Sequence, residues 1–175
     1  SVKFAWAPLV DRLGIPGLTA WFGRRRSWML LSQCGVIVVL LLMAVTDPST
    51  QLARIALLTV VLAVCSATQD IAVDAWRIEV VAERLQGAMA ASYQFGYRTA
   101  VLVAGAGALY IADLASWGLA YQVMAALMLP GVVTALLVAE PAVAIGPATA
   151  NSLTDWFSTA VVGPFREFFQ RVGGF

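Results

Sequence analysis

The chain has 175 residues, of which 61% are hydrophobic and 12% charged, with 11 Lys and Arg against 10 Asp and Glu. Soluble domains average about 25% charged residues, so this composition excludes an ordinary water-exposed globule. The apolar residues fall into long runs separated by short polar islands, which is the pattern of a polytopic all-α membrane protein. A net charge of +1 gives no reason to expect a nucleic-acid partner. There is no histidine, and Cys34 and Cys65 stand alone in apolar runs, so a His/Cys metal site is excluded and no cofactor is expected. Both cysteines read as small buried hydrophobes.

In chain order, residues 1–10 read as the tail of a preceding span, and 11–27 as a polar loop holding Asp11, Arg12, Gly14, Gly23, Arg24, Arg25 and Arg26. The pattern starts and stops abruptly at both ends, so an internal fragment of a longer protein is expected. Four stretches are long enough to cross roughly 30 Å of hydrocarbon at about 1.5 Å per residue. They run over about 28–45, 52–76, 87–111 and 117–139, with Pro130 expected to kink the last. Residues 140–175 read as a linker followed by an amphipathic helix at about 152–170, with aromatics on one face and charge on the other.

Arginine alternates loop by loop. It is present in 11–27, absent from 46–51, present as Arg77 and Arg84, absent from 112–116, and present again as Arg166 and Arg171. The positive-inside rule therefore places 11–27, 77–86 and 140–175 in the cytoplasm.

The second span carries the chemistry. Thr59, Ala63, Ser66, Asp70, Asp74 and Arg77 recur at three- and four-residue steps and so share a helix face, with Gln69 beside them. A carboxylate inside a span costs about 3 kcal/mol or more, so it faces a partner or a water-filled cavity. Asp70 lies deeper and is the candidate proton or substrate group, while Asp74 is close enough to the helix end to pair with Arg77. The third span adds Gln94, Tyr97 and Arg98. A guanidinium keeps its charge at any physiological pH, so Arg98 needs a partner, and Asp70 at similar depth on the preceding helix is the expected one. A small residue at every fourth position from Ala88 through Ser92, Gly96, Ala100 and Ala104 to Ala108 marks a close-packing surface.

Asp11-Arg12-Leu13-Gly14 and Gly23-Arg24-Arg25-Arg26 between two spans resemble the loop motif of the major facilitator superfamily, split by an insertion at 15–22. Three further features narrow the resemblance. They are Ser66-Ala67-Thr68-Gln69-Asp70-Ile71-Ala72-Val73-Asp74-Ala75-Trp76-Arg77, the run Gly96-Tyr97-Arg98, and the tail around Gly163-Pro164-Phe165. Together they resemble the AmpG-type muropeptide permeases. The resemblance implies part of the N-terminal half of such a transporter: the end of helix 2, helices 3 to 6 and the central linker. It also implies inner-membrane import of anhydro-muropeptides driven by protons, serving peptidoglycan recycling. Asp11, Arg12, Gly14, Gly23, Arg24, Arg25, Arg26 and Arg77 would then form the conformational-switch loop, and Gln69, Asp70, Asp74, Gln94, Tyr97 and Arg98 the substrate and proton path. The expected partners are lipid, protons, the muropeptide and the remaining helices of the permease. An acetyl-CoA-transporter-like relative stays open as an alternative. Against a membrane enzyme stand the absence of His and the scattering of Asp70 and Asp74 along one span, and against a channel subunit the absence of a repeated pore motif.

Overall fold

A computed structural model describes residues 15–140. The tail at 1–10, the motif residues Asp11, Arg12 and Gly14, and the amphipathic segment at 152–170 lie outside the described residues. Within them the order is α1 (Leu18–Phe22), α2 (Arg24–Ala44), α3 (Leu52–Val80), a single 3₁₀ turn (Glu83–Leu85), α4 (Gln86–Leu102), a π-helical turn (Val103–Gly107), α5 (Ala108–Leu114), α6 (Trp117–Leu127) and α7 (Leu129–Leu137). Four continuous helical stretches are long and apolar enough to cross a membrane: Arg24–Ala44, Leu52–Val80, Glu83–Leu114 and Trp117–Leu137. At about 1.5 Å per residue, the 21 residues of the first and last already reach about 31 Å.

Three of the four stretches extend past the apolar runs that announce them, whereas the last ends at Leu137, inside its run. The first begins at Arg24 rather than near residue 28, and the second continues to Val80 rather than 76. Hydropathy registers where a helix enters hydrocarbon, whereas the backbone pattern continues as long as its ends are satisfied.

α2 is the central helix: half of its most apolar window is buried, against none for the third stretch. The reason is visible in its spacing. Arg25, Met29, Ser32, Val36, Val39 and Met43 are buried at alternating four- and three-residue steps, and Leu30, Gln33 and Leu40 are buried beside them. One such seam contacts one neighbour. Two adjacent seams put a helix between neighbours, here α3 on one side and the α6–α7 unit on the other. Met29, Leu30, Ala72 and Ala135 form one core cluster; Val36, Leu40 and Ala125 form a second, and Val39, Met43 and Leu58 a third.

The closest approaches use residues with little side chain. A Cβ on Gly35 would stand 2.8 Å from Cys65 Sγ, and one on Gly118 would stand 2.9 Å from the Ala44 carbonyl oxygen. Of the two cysteines, Cys65 is half-buried in that contact. Cys34 is exposed on the outer face of α2, contrary to the expectation that both are buried, because the two seams turn residue 34 away from both neighbours.

The last stretch breaks at Met128 between α6 and α7. Pro130 has no N–H to donate, and Thr134 Oγ1 donates to its carbonyl at 2.7 Å. In the loop between α2 and α3, Ser49 donates both its N–H and its hydroxyl to Asp47 Oδ1, at 2.9 and 2.7 Å. Those bonds hold the Asp47 carboxyl below the usual carboxylate range.

Candidate functional site

Three helix ends meet at one end of the bundle. Arg25, in the first turn of α2, points its guanidinium at Glu79 in the last turn of α3, with Nη2 2.5 Å and Nε 3.2 Å from the two carboxylate oxygens. The pair is largely withdrawn from solvent, and the two parallel bonds use the planar fork that only arginine has. Glu140, just past α7, accepts from the backbone N–H groups of Arg25 (2.8 Å) and Arg26 (3.2 Å) and so caps the start of α2. Such a carboxylate also favours the positive end of the helix dipole. Arg26 answers in the other direction: its guanidinium donates to the carbonyls of Ala135 (3.0 Å) and Leu136, which α7 leaves open at its C-terminus. Trp76 Nε1 donates to the Ala139 carbonyl at 3.0 Å.

Gly23 makes this junction possible. Its φ of +83° is a conformation that side chains resist, and a Cβ there would stand 2.4 Å from the Glu140 carboxyl carbon. The arginines placed in a switch loop by sequence are therefore the first turn of α2, and the acids that answer them, Glu79 and Glu140, were not singled out. Their signal in the sequence is slight: two carboxylates at the same-side ends of two spans, on the side where the arginine-bearing loops lie. They lie 54 and 115 residues from Arg25.

The polar stripe of α3 lies on the side away from α2. Thr68 and Ala72 are buried, whereas Asp70, Asp74 and Arg77 are half-buried. Arg77 Nη2 stands 3.4 Å from Asp74 Oδ1, one turn earlier. The same guanidinium lies over the ring of Tyr93 on α4, 4.6 Å from its centroid, a cation–π contact that joins the two helices near their connecting turn. Its Nε is buried without a hydrogen-bond partner. Tyr93 is a residue that sequence reasoning missed, although it precedes Tyr97 by one helical turn.

Beyond that contact α4 leaves α3. No residue of α4, the π turn or α5 is buried. Gln94, Tyr97 and Arg98 are all exposed. The structure thus brings together Asp74, Arg77 and Tyr93; Gln94 and Arg98 share the next stripe of α4, and no ion pair joins Arg98 to Asp70. No cluster of three or more His, Cys, Asp or Glu suited to a metal occurs among the described residues.

The arrangement is that of a membrane bundle with a polar face on one helix and a neighbouring helix standing open beside it. A family model described as the Major Facilitator Superfamily matches residues 2–172. The chain belongs to the major facilitator superfamily. It is a multi-pass membrane protein and not an enzyme. Among curated relatives, the Anhydromuropeptide permease of Escherichia coli K12 is 43% identical over 170 residues, covering 97% of this chain and 33% of the relative. A Rickettsia conorii protein bearing the transporter name AmpG 4 is 38% identical over 173 residues, covering 98% of this chain and 41% of the relative. A Haemophilus influenzae protein of uncharacterised function is 37% identical over 174 residues, with 99% and 39% covered. The chain therefore spans a third to two-fifths of the length of these relatives.

Proposed function

We propose that the chain is part of an inner-membrane permease that imports anhydro-muropeptides, driven by protons and serving the recycling of cell-wall peptidoglycan. The observation that carries this reading is the 43% identity, sustained over 97% of the chain, to a protein named as a permease for that solute. The helix numbering implied by the resemblance makes α2 and α3 the third and fourth helices of the first half. The stretch Glu83–Leu114 is then the fifth, and Trp117–Leu137 the sixth. The remaining helices, lipid, protons and the muropeptide are the partners of the whole protein.

In this reading the stripe from Gln69 and Asp70 to Asp74 faces the central cavity. Asp70 is the group that exchanges a proton there, the only deep carboxylate on that stripe. Arg98, Gln94 and Tyr97 supply a cation and hydrogen-bond donors for an anionic, sugar- and peptide-bearing cargo. The junction of Arg25, Arg26, Glu79 and Glu140 holds helices 3, 4 and 6 as one body, so that the half rocks as a unit during alternating access. Asp11, Arg12, Gly14, Gly23, Arg24 and Arg77 complete the switch at the cytoplasmic face.

The test is uptake of labelled anhydro-muropeptide by cells carrying the full-length parent gene, with and without an uncoupler, beside Asp70→Asn. Uptake lost to both treatments supports the assignment and places Asp70 on the coupling path. Background-level uptake, with the wild-type protein present in the membrane, overturns the cargo and puts an acetyl-CoA-like anionic solute first.

A further inference from the structure

The insertion at 15–22 divides the arginine-bearing loop, and none of the chemistry above uses it. Its sequence with the following glycine, Ile15-Pro16-Gly17-Leu18-Thr19-Ala20-Trp21-Phe22-Gly23, has no charged residue, although the loop it interrupts is rich in arginine. It folds as the short helix α1, bracketed by two glycines at positive φ, Gly17 (+86°) and Gly23 (+83°). Those hinges let the helix leave the direction of α2, which starts at the next residue.

The two aromatic residues of α1 have opposite fates. Phe22 turns inward and packs against the cluster of Met29, Leu30, Ala72 and Ala135, with the Arg26 guanidinium 5.8 Å from its ring centroid. Trp21 turns outward and is 86% exposed, and Leu18 is exposed with it. The depth of this exposed pair is set independently. Phe22 is pinned where α2 begins and α3 and α7 end, so α1 lies at the level at which three spans leave the hydrocarbon. Indole rings concentrate at that level because it offers an apolar face and a wet edge together.

We propose that α1 is an interfacial anchor: Trp21 and Leu18 insert among the lipid headgroups and upper acyl chains on the arginine-rich side of the membrane. The occupant of this apolar face is the bilayer surface. α1 is joined to a membrane-crossing helix through Gly23 alone, and its exposed face carries no charge of its own to be desolvated. The anchor fixes the depth and tilt of the first turn of α2, and through it the Arg25–Glu79 and Glu140 contacts. It depends on membrane embedding alone and stands whatever the cargo is.

The experiment uses the full-length parent transporter cleared of its own cysteines and carrying Trp21→Cys, Leu18→Cys or, as an aqueous reference on the same side, Glu83→Cys. Each variant is spin-labelled and reconstituted in vesicles of phosphatidylethanolamine and phosphatidylglycerol. Collision with oxygen, which concentrates in lipid, is compared with collision with a water-soluble nickel chelate. The expected result is an oxygen-to-nickel ratio several-fold higher at positions 18 and 21 than at 83. Nickel reaching position 21 as freely as position 83 overturns the proposal in favour of a water-exposed loop. Exclusion of both relaxing agents from position 21 overturns it equally, since another protein segment then covers the face. Exposed positions tolerate cysteine, and monodisperse elution of each variant checks that the fold is kept.

Discussion

Arg25 is 6% exposed, and its charge is met by Glu79 through two bonds. Removing one member of such a pair strands the other, so Arg25→Ala is expected to cost about 3–5 kcal/mol. Arg25→Lys keeps the charge and loses the fork, so its loss should be smaller. The double substitution Arg25→Met with Glu79→Leu should recover most of the stability, because it leaves no stranded charge. Thermal unfolding of the detergent-solubilised full-length protein measures all three, and equal losses for Arg25→Ala and the double variant would refute the pairing argument. At Gly23 two costs coincide. Gly23→Ala places a side chain at φ +83° and pushes into Glu140, forfeiting a helix cap of about 0.5–2 kcal/mol beside the backbone strain of about 1–2 kcal/mol. Glu140→Gln retains an acceptor and should lose less in the same melt than Glu140→Ala. Neither partner of Arg25 was legible beforehand: a sequence displays Glu79 and Glu140 as two acids among ten, and only the fold removes the separation between them.

Between elements, the decisive quantity is how closely helix backbones approach. Ala72, Ala120, Ala125 and Ala135 are all nearly inaccessible, and Gly35 and Gly118 allow contacts that a methyl group would block. Gly35→Ala is therefore expected to destabilise the α2–α3 pair by about 1–3 kcal/mol through overpacking against Cys65. Adding Cys65→Ala removes the offending sulfur and should restore much of that loss, whereas additive losses would show that the two positions are not in contact. The third stretch teaches a different point. Its small residues recur every fourth position from Ala88 to Ala108, but an α-helix turns in 3.6 residues, so each step drifts about 40° around the axis. The π turn at Val103–Gly107 takes up an extra residue and sets the phase back by about a quarter turn, keeping Ala104 and Ala108 nearer the face begun at Ala88. The sequence displays the stripe; the correction of its drift is visible only in the backbone.

At the scale of the whole molecule, three helical stretches form a packed body around α2 while the stretch Glu83–Leu114 is tethered to it at its ends. The exposed Arg98 on that stretch is costly in hydrocarbon, and in the proposed permease it faces the cavity. Arg98→Ala in the full-length protein is expected to abolish uptake, with Arg98→Lys retaining part of it; uptake unchanged by Arg98→Ala would remove Arg98 from the cargo path. The membrane class, the four apolar stretches and the alternation of arginine were settled by the sequence itself. A helix in a bilayer must be apolar over a fixed length, and this constraint is local to each segment. The family was legible for a similar reason, because its motifs are short and contiguous. What only the tertiary structure decided are the relations between segments: α2 at the centre, the arginines of the supposed loop as its first turn, Glu140 returning to cap it, and Arg77 over Tyr93 while Arg98 stands away from Asp70. Those depend on helix crossing and on side chains tens of residues apart, and one-dimensional spacing carries no term for either.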